Sequence, residues 1–329
     1  MPKLPALLVT QVAFVFWSLG PALSDTLLIT DDIPIEEPVP QAAYDDPEET
    51  TEEEIPEPDP GYTVTVFEKA PKGLFSGVAR LLYKKQGRSG EFGCSATLIA
   101  PQILLTAQHC VRNIDGKLHK YIKAKFPKSN SSGSHTQEVK LSSSNTALHI
   151  GGLEKRTDGT LRWSQTSDLA LVRLEKPVPD AENRIIPLLQ KSQINSHSLK
   201  MFVGYGMQYI NYQTERVGGS RALGWITSDV VPMKITSGNY AKRSFLVAGE
   251  AEIGGNKVSV ALCNGDSGGP FLVANPEHPS SSVLIAGVNH AVLYGLAPEA
   301  CAKPGNVSYL VGILGNMDFI NAGIEKLQN

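Results

Sequence analysis

Short apolar segments recur along the chain after residue 61, and Gly, Pro, Asn and Ser residues separate them. Many short segments of this kind favour an all-β sandwich or barrel over alternating strand and helix units. The predicted strands lie at residues 98–100, 103–105, 169–174, 201–203, 222–226, 245–247, 271–273 and 283–288.

The C-terminal end of the chain has a different period. Met317, Ile320, Ile324 and Leu327 recur at three- and four-residue steps after Gly315-Asn316. This spacing predicts one face of a short amphipathic helix. We therefore expect an all-β fold that ends in a single α-helix.

An apolar run from Leu4 to Leu19 follows Lys3 at the start of the chain. This pattern is typical of a signal peptide, and the small residues Ala22 and Ser24 place its cleavage after Ser24. An uncleaved membrane anchor is the alternative, although the run is shorter than the roughly 20 residues that span a bilayer. We expect a secreted protein, periplasmic in a bacterium, with no stable membrane association.

Charge divides the chain near residue 60. Residues 31–60 hold thirteen Asp or Glu, seven prolines and no Lys or Arg, a composition that does not fold alone. The first 60 residues carry a net charge of −13 and residues 61–329 carry +10. Residues 25–60 are therefore predicted to be disordered, either as a pro-segment that lies on the basic body or as a solvated spacer, and residues 61–329 form the folded domain.

The segment Cys263-Asn-Gly-Asp-Ser-Gly-Gly-Pro270 carries the strongest chemical signal. A hydroxyl is a poor nucleophile until a base removes its proton, and the tetrahedral intermediate needs backbone N–H donors around its oxyanion. Glycines on both sides of Ser267 allow a sharp turn, so the amides of Gly265 and Ser267 can point into one space. A glycine-rich turn between strands is the alternative, but the combination favours a catalytic serine.

Two other segments place a base and a carboxylate next to apolar strands. His109 follows Leu104-Leu-Thr-Ala-Gln, and an imidazole suits a base that takes and returns a proton near neutral pH. Asp168 precedes an apolar strand, and there it could hold the imidazole in one tautomer. Alone, each is more commonly a structural histidine or a turn residue. The remaining histidines are interpreted in that way: His119, His135, His149, His197, His278 and His290.

Together the three segments resemble the signature motifs of the trypsin-like, or chymotrypsin-fold, serine peptidases, in that family's order of His, Asp and Ser. The resemblance covers about residues 75–329. It implies two antiparallel Greek-key β-barrels, at about residues 70–180 and 198–315, packed together with a C-terminal helix at about residues 316–328.

The resemblance also implies an activity and its residues. Ser267 would attack the peptide bond, His109 would transfer the proton, Asp168 would orient the histidine, and the amides of Gly265 and Ser267 would form the oxyanion hole. The implied partners are protein or peptide substrates. No nucleic-acid partner, metal or organic cofactor is implied, and we expect a monomer.

The four cysteines, Cys94, Cys110, Cys263 and Cys301, predict two disulfides in an exported chain. Their spacing contains no C-x-x-C zinc pattern and leaves three connectivities open. The family resemblance implies the pairs Cys94–Cys110 and Cys263–Cys301.

Asp266 matches the family residue that pairs with a newly freed N-terminus and completes the oxyanion hole. The usual N-terminal segment, an Ile or Val, then Val or Ile and two glycines after a basic residue, is missing. Residues 62–67, where it should lie, contain valines but no glycine pair. Either an activating protease cuts this zymogen at an unusual site, or Asp266 finds another partner and no cut is needed.

The specificity pocket also departs from the family pattern. Ala261, followed by Leu262, stands where an Asp would attract Arg or Lys, so an Arg or Lys preference is not expected. Asn289 and His290 belong to the segment that resembles the pocket wall. We expect a small or medium apolar side chain before the cut, or else a polar or acidic one bound by these two residues.

Two alternatives complete the interpretation. Residues 112–144 are expected to be a tolerated surface loop rather than an exosite. A secreted pseudoprotease or binding module with the same fold is the alternative function, although its usual mark is a substituted triad residue, and His109, Asp168 and Ser267 are all present.

Overall fold

The structure is a computed structural model. It describes residues 63–65, 68–84, 92–113, 116–149, 153–155, 161–163, 167–196, 199–206, 209–211, 216–218, 222–239, 242–253, 256–274, 283–292 and 306–329. The predicted signal peptide, the acidic segment and Cys301 lie outside these residues.

The described chain is mostly strand, with one α-helix. In chain order the strands are β1 (Thr63–Thr65), β2 (Glu68–Lys69), β3 (Val78–Tyr83), β4 (Phe92–Ala100), β5 (Ile103–Thr106), β6 (Tyr121–Phe126), β7 (His135–Lys140), β8 (Thr146–Leu148), β9 (Leu153–Lys155), β10 (Leu161–Trp163), β11 (Ala170–Arg173), β12 (Leu199–Gly204), β13 (Tyr209–Asn211), β14 (Arg216–Gly218), β15 (Gly224–Thr227), β16 (Met233–Ser237), β17 (Ser244–Ile253), β18 (Asn256–Val260), β19 (Pro270–Ala274), β20 (Leu284–Val292) and β21 (Ser308–Gly312). Short 3₁₀ helices lie at Gln108–Cys110, Ala181–Asn183, Lys191–Ser196 and Leu314–Asn316, and α1 spans Met317–Gln328.

Two antiparallel sheets contain most of these strands. The first has the order β7-β6-β3-β4-β5-β11-β8, and the second has the order β16-β17-β21-β20-β19-β12-β15-β2, with β18 paired to β17. Each predicted apolar segment falls within or overlaps one of these strands. Their side chains form two buried clusters, the larger of which includes α1. We predicted two antiparallel β-barrels and a C-terminal helix, and the described residues confirm an all-β fold of two antiparallel sheets that ends in one α-helix.

Residues 112–144 differ from the expected surface loop, because they contain β6 and β7 at one edge of the first sheet. Ile122, Ala124 and Phe126 are buried on β6, and the residues between them face outward. This alternation of buried and outward-facing residues is typical of a strand. The lysines on the outward face made the strand hard to recognise in the sequence. The buried Arg184 guanidinium anchors the turn after β6, since it donates to the carbonyls of Pro127 and Gly133.

The C-terminal helix packs on the first sheet at β8 and β11. Ile320 and Leu327 are fully buried, as their spacing predicts. Gly323 allows this close approach, because a Cβ at that position would overlap the side chain of Leu171 on β11. Within the described residues, no helix is long and apolar enough to span a membrane.

Candidate active site

His109 lies where the apolar strand β5 ends. The 3₁₀ helix Gln108–Cys110 begins two residues after β5, and a disulfide joins Cys110 to Cys94 on the neighbouring strand β4. The buried Cys110 and Gln108 flank His109, whose side chain keeps 19% of its surface exposed. This turn therefore presents the imidazole at the surface of a rigid strand pair.

Asp168 is fully buried just before β11, and it holds His109 at two points. Its Oδ1 accepts the backbone N–H of His109 at 2.9 Å, and its Oδ2 lies 2.6 Å from His109 Nδ1. Because a carboxylate oxygen only accepts, Nδ1 carries the proton, and Nε2 of the neutral ring keeps the lone pair that a general base needs.

A second imidazole shares the same carboxylate oxygen. His290 Nδ1 lies 2.5 Å from Asp168 Oδ2, and the rings of His290 and His109 are 5.9 Å apart, edge to face. Burial alone would raise the pKa of Asp168, but the charges and hydrogen bonds of His109 and His290 lower this pKa well below its usual range. Asp168 is therefore ionised near neutral pH.

Ser267 lies between β18 and β19, where it contacts His290 and also Cys110, the residue that follows His109. Its hydroxyl donates to the backbone carbonyl of His290 at 3.4 Å, and its own carbonyl accepts the N–H of Ser95 on β4 at 2.8 Å. Within the described residues no hydrogen bond joins Ser267 Oγ to His109. Such bonds are often long or absent before substrate binds, so His109 stays a candidate base.

Glycines bend the backbone around Ser267. Gly265 and Gly268 have φ of +96° and +79°, which residues with a Cβ rarely adopt. A Cβ at Gly268 would also overlap Thr106 Oγ1 and the carbonyl of Ser95. In the described part of the chain, neither Gly265 N–H nor Ser267 N–H has an acceptor. Both are available as oxyanion donors.

Asp266 points away from this site into a buried space. Its Oδ1 accepts the N–H of Gly206 at 2.8 Å, and its Oδ2 accepts that of Cys263 at 3.0 Å. Gly204 and Gly206 make room for it, since a Cβ on either would overlap the carboxylate. Burial raises the pKa of Asp266 to about 7, against the opposing effect of these two hydrogen bonds. Among the described residues no cation pairs with this carboxylate.

The four residues expected in the specificity pocket lie in buried positions. Ala261 and Asn289 have no exposed surface, and the N–H of Leu262 donates to Ser308 Oγ at 3.0 Å. The amide of Asn289 has no hydrogen-bond partner among the described residues. We expected His290 in the wall of the specificity pocket, and the structure shows its imidazole bound to Asp168. Cys263 is in a disulfide, and its expected partner Cys301 lies outside the described residues.

The role of His290 was missed, although the sequence held a signal for it. Successive side chains of a regular strand point to opposite faces, so the adjacent Asn289 and His290 would be expected to face different surroundings. On β20 the pairing with β21 also shifts between Asn289 and Ala291. Nothing in the sequence, however, indicates which buried group the imidazole would contact.

His109, Asp168 and His290 are also residue types that bind transition metals, and their ligand atoms lie within 4.8 Å of one another. Two ligands bound tetrahedrally at about 2.1 Å from zinc lie about 3.4 Å apart. Here Nδ1 of each histidine is 2.5 or 2.6 Å from the shared oxygen. These distances fit hydrogen bonds.

Comparisons with a family model and with individual proteins agree on one family. A model of the family described as Trypsin matches residues 66–312. Melanization protease 1 of Drosophila melanogaster is 27% identical over 242 residues, which cover 71% of this chain and 58% of that protein. Serine protease ea of the same species is 25% identical over 253 residues, which cover 74% and 62%. The chain thus spans 58–62% of the length of these two relatives.

Proposed function

Because the chain belongs to the trypsin family of serine peptidases, we propose that it is an endopeptidase that hydrolyses peptide bonds through an acyl-enzyme on Ser267. One observation carries the proposal: a buried carboxylate holds His109 by both its backbone and its ring, and the next residue, Cys110, contacts the backbone of Ser267 on its glycine-rich turn. This arrangement fixes the tautomer that a base requires.

In the proposed reaction, Ser267 turns its hydroxyl from the His290 carbonyl towards Nε2 of His109 when substrate binds. His109 takes the proton as Oγ attacks the carbonyl carbon, and the N–H groups of Gly265 and Ser267 stabilise the oxyanion. His109 then returns the proton to the leaving amine. A water molecule hydrolyses the acyl-enzyme by the same steps.

Activation is proposed to work through Asp266. A buried carboxyl with two neutral donors and a raised pKa suits a cation that arrives later. A freed N-terminus would supply that cation and keep Asp266 ionised. The expected region of the cut, residues 62–67, contains β1, which pairs with β13.

Specificity and location complete the proposal. The apolar Ala261 and Leu262 support a substrate preference other than Arg or Lys. The apolar run at Leu4 to Leu19 supports secretion with cleavage after Ser24.

A fluorophosphonate probe, which labels activated serines, tests the catalytic claim. We expect it to label the secreted protein, before or after limited proteolysis, and to label Ser267→Ala not at all. Ser144→Ala is the matched control, since Ser144 is exposed and outside the site. N-terminal sequencing of the labelled species would locate any activating cut.

The second candidate is an inactive binding protein with the same fold. The bond from the Ser267 hydroxyl to the His290 carbonyl favours it, because this hydroxyl is not directed at a base. A folded, disulfide-bonded protein that stays unlabelled in every processed form would refute the endopeptidase and support the inactive relative.

A further inference from the structure

We propose that the acidic segment at residues 45–60 docks on a lysine-rich surface of the same chain. This surface, the lysine hairpin, is residues 112–140, which contain β6, β7 and the residues that lead into them. The observation that carries the proposal is the concentration of unpaired positive charge on this hairpin, matched by negative charge in the segment. The proposal uses only charge and geometry, so it does not depend on the proposed peptidase function.

The lysine hairpin holds half of the net positive charge of the folded domain. Residues 112–140 contain seven Lys or Arg and two Asp or Glu, a net charge of +5 out of the +10 of residues 61–329. Within the described residues, five of these lysines are exposed and their ammonium groups have no ion pair or hydrogen bond. The five are Lys117, Lys120, Lys125, Lys128 and Lys140. Such a surplus attracts anions.

The exposed lysines are distributed along the whole hairpin. Lys140 ends β7, and the N–H of the next residue donates to the carbonyl of Lys120, so these two lysines are neighbours. Lys125 is exposed near the other end of β6, and Lys128 follows in the turn. From Lys120 to Lys128 an extended chain advances about 26 Å. A docked segment of eight or more extended residues would therefore contact both ends.

Protection of the sheet edge does not account for these charges. Lysines on an edge strand commonly prevent pairing with another chain. The edge strand is β7, whereas Lys123 and Lys125 lie on β6, which is paired to β3 and to β7. Arg80 of β3 is directly opposite Lys125, and like charges in that position repel each other. An anion bound there would reduce this repulsion.

The acidic segment has the composition that this surface selects. Nine of the sixteen residues at positions 45–60 are Asp or Glu, and none is Lys or Arg. Sixteen residues span up to about 50 Å when fully extended, which exceeds the length of the lysine hairpin. A single exposed ion pair contributes little. Nine carboxylates can, however, pair with five lysines in many arrangements, so the summed attraction does not need one fixed geometry.

The segment is also attached close to this surface. Gly73 lies against the turn after β6, because a Cβ on Gly73 would overlap the side-chain amide of Asn130. The guanidinium of Arg184 holds the same two regions together, since it donates to the carbonyls of Ser76 and Pro127. The acidic segment ends thirteen positions before Gly73, a distance of at most about 45 Å. This tether gives the segment an effective concentration of about millimolar at the hairpin, which favours it over an anionic chain in solution.

Zero-length carbodiimide crosslinking tests the contact, because it joins a carboxylate to an amine only where the two touch. The protein used is the Ser267→Ala chain, which lacks the proposed nucleophile and whose mass shows that residues 45–60 are retained. At about 20 mM NaCl we expect the segment to crosslink mainly to the five exposed lysines, and at about 0.5 M NaCl we expect these crosslinks to fall about 5-fold, because salt screens exposed charges. Crosslinks spread evenly over the lysines of the body, or none from residues 45–60, would overturn the proposal.

A mixture of ¹⁵N-labelled and unlabelled chains distinguishes docking within one molecule from docking on a second copy. We expect each crosslinked pair of peptides to carry a single isotope. Pairs of mixed isotope in about half of the crosslinks, as random exchange between copies predicts for an equal mixture, would overturn docking within the chain.

A second measurement follows the rate at which a glutamate-specific protease cuts within residues 45–60 of the same Ser267→Ala chain. A variant of the hairpin combines Lys117→Gln, Lys120→Gln, Lys125→Gln, Lys128→Gln and Lys140→Gln. We expect the segment of this variant to be cut about 10-fold faster than that of its parent at low salt, and equally fast at high salt. The matched control combines five exposed lysines from elsewhere, as Lys176→Gln, Lys191→Gln, Lys234→Gln, Lys242→Gln and Lys326→Gln, and should be cut at the parent rate. Equal rates in the two variants would overturn the proposal.

Discussion

Two buried aspartates show how the neighbouring groups decide the charge of a residue. Asp168 and Asp266 are both almost completely buried, which by itself raises a carboxyl pKa. Two imidazoles lower the pKa of Asp168, whereas Asp266 receives only the backbone N–H groups of Gly206 and Cys263, and its pKa rises to about 7. Asp168 thus serves as a permanent anion, and Asp266 can change charge near neutral pH.

The raised pKa of Asp266 predicts a stability that depends on pH. An unfolded Asp titrates near 3.9, so between about pH 4 and 7 the folded chain retains a proton that the unfolded chain has lost. The contribution of this group is therefore most favourable below pH 4 and declines as pH rises to about 7, by on the order of 4 kcal/mol. Thermal unfolding from pH 4 to 8 should show this decline in the uncut protein and a flatter profile in Asp266→Asn.

Asp229→Asn is the control for that experiment, because Asp229 is exposed and should leave the profile unchanged. Asp266→Asn also leaves one of two backbone donors without an acceptor, so it lowers stability at all pH values and only the slope is diagnostic. Equal slopes in the wild type and Asp266→Asn would show that Asp266 does not bind the proton.

At the scale of elements, the loop from Cys263 to Pro270 depends on its glycines. Gly268 has a positive φ and lies against β5, with Ala107 N 2.9 Å from where a Cβ would be. We expect Gly268→Ala to lower the free energy of unfolding by about 2–5 kcal/mol through backbone strain and overlap. Urea titration would measure the loss. Gly133→Ala is the control, since nothing lies within 4 Å of a Cβ at that position. A similar loss of stability in both variants would refute the explanation by strain and overlap at Gly268.

At the scale of the whole molecule, Ser95 joins the two sheets at the candidate active site. It lies on β4 of the first sheet, and its hydroxyl accepts the N–H of Tyr205, just after β12 of the second, and donates to the carbonyl of Gly265, both at 2.9 Å. Its backbone N–H also bonds the carbonyl of Ser267. The proposed oxyanion donors, in the loop before β19 of the second sheet, are therefore held in place by the first sheet.

We expect Ser95→Ala to cost about 2–4 kcal/mol of stability, because two buried polar groups lose a partner. It should also slow fluorophosphonate labelling about 10-fold, since Gly265 is less well held. The free energy of unfolding and the labelling rate of Ser95→Ala test this prediction. The exposed Thr136→Ala is the control and should match the wild type in both. A stable Ser95→Ala that labels at the wild-type rate would show that this contact is dispensable.

The strands were predictable where apolar residues form uninterrupted runs, as in β5, β11 and β19. Strands β6 and β7 were missed because lysines and serines dominate the segment, although Ile122, Ala124 and Phe126 alternate as a half-buried strand requires. The helix was predictable from its own spacing, but its docking on β11 depends on Gly323, which the sequence does not connect to Leu171.

The sequence by itself determined the strongly apolar strands, the C-terminal helix and the residue types of the candidate site, because periodicity, glycines and short motifs act over a few neighbouring residues. Its order of His109, Asp168 and Ser267 also indicated the family. Only the tertiary structure decided that His290 binds Asp168, that Ser95 bridges the sheets and that Asp266 is buried with neutral donors. These contacts join residues 60 to 170 positions apart, and their energies depend on burial and direction, which no local pattern of residues contains.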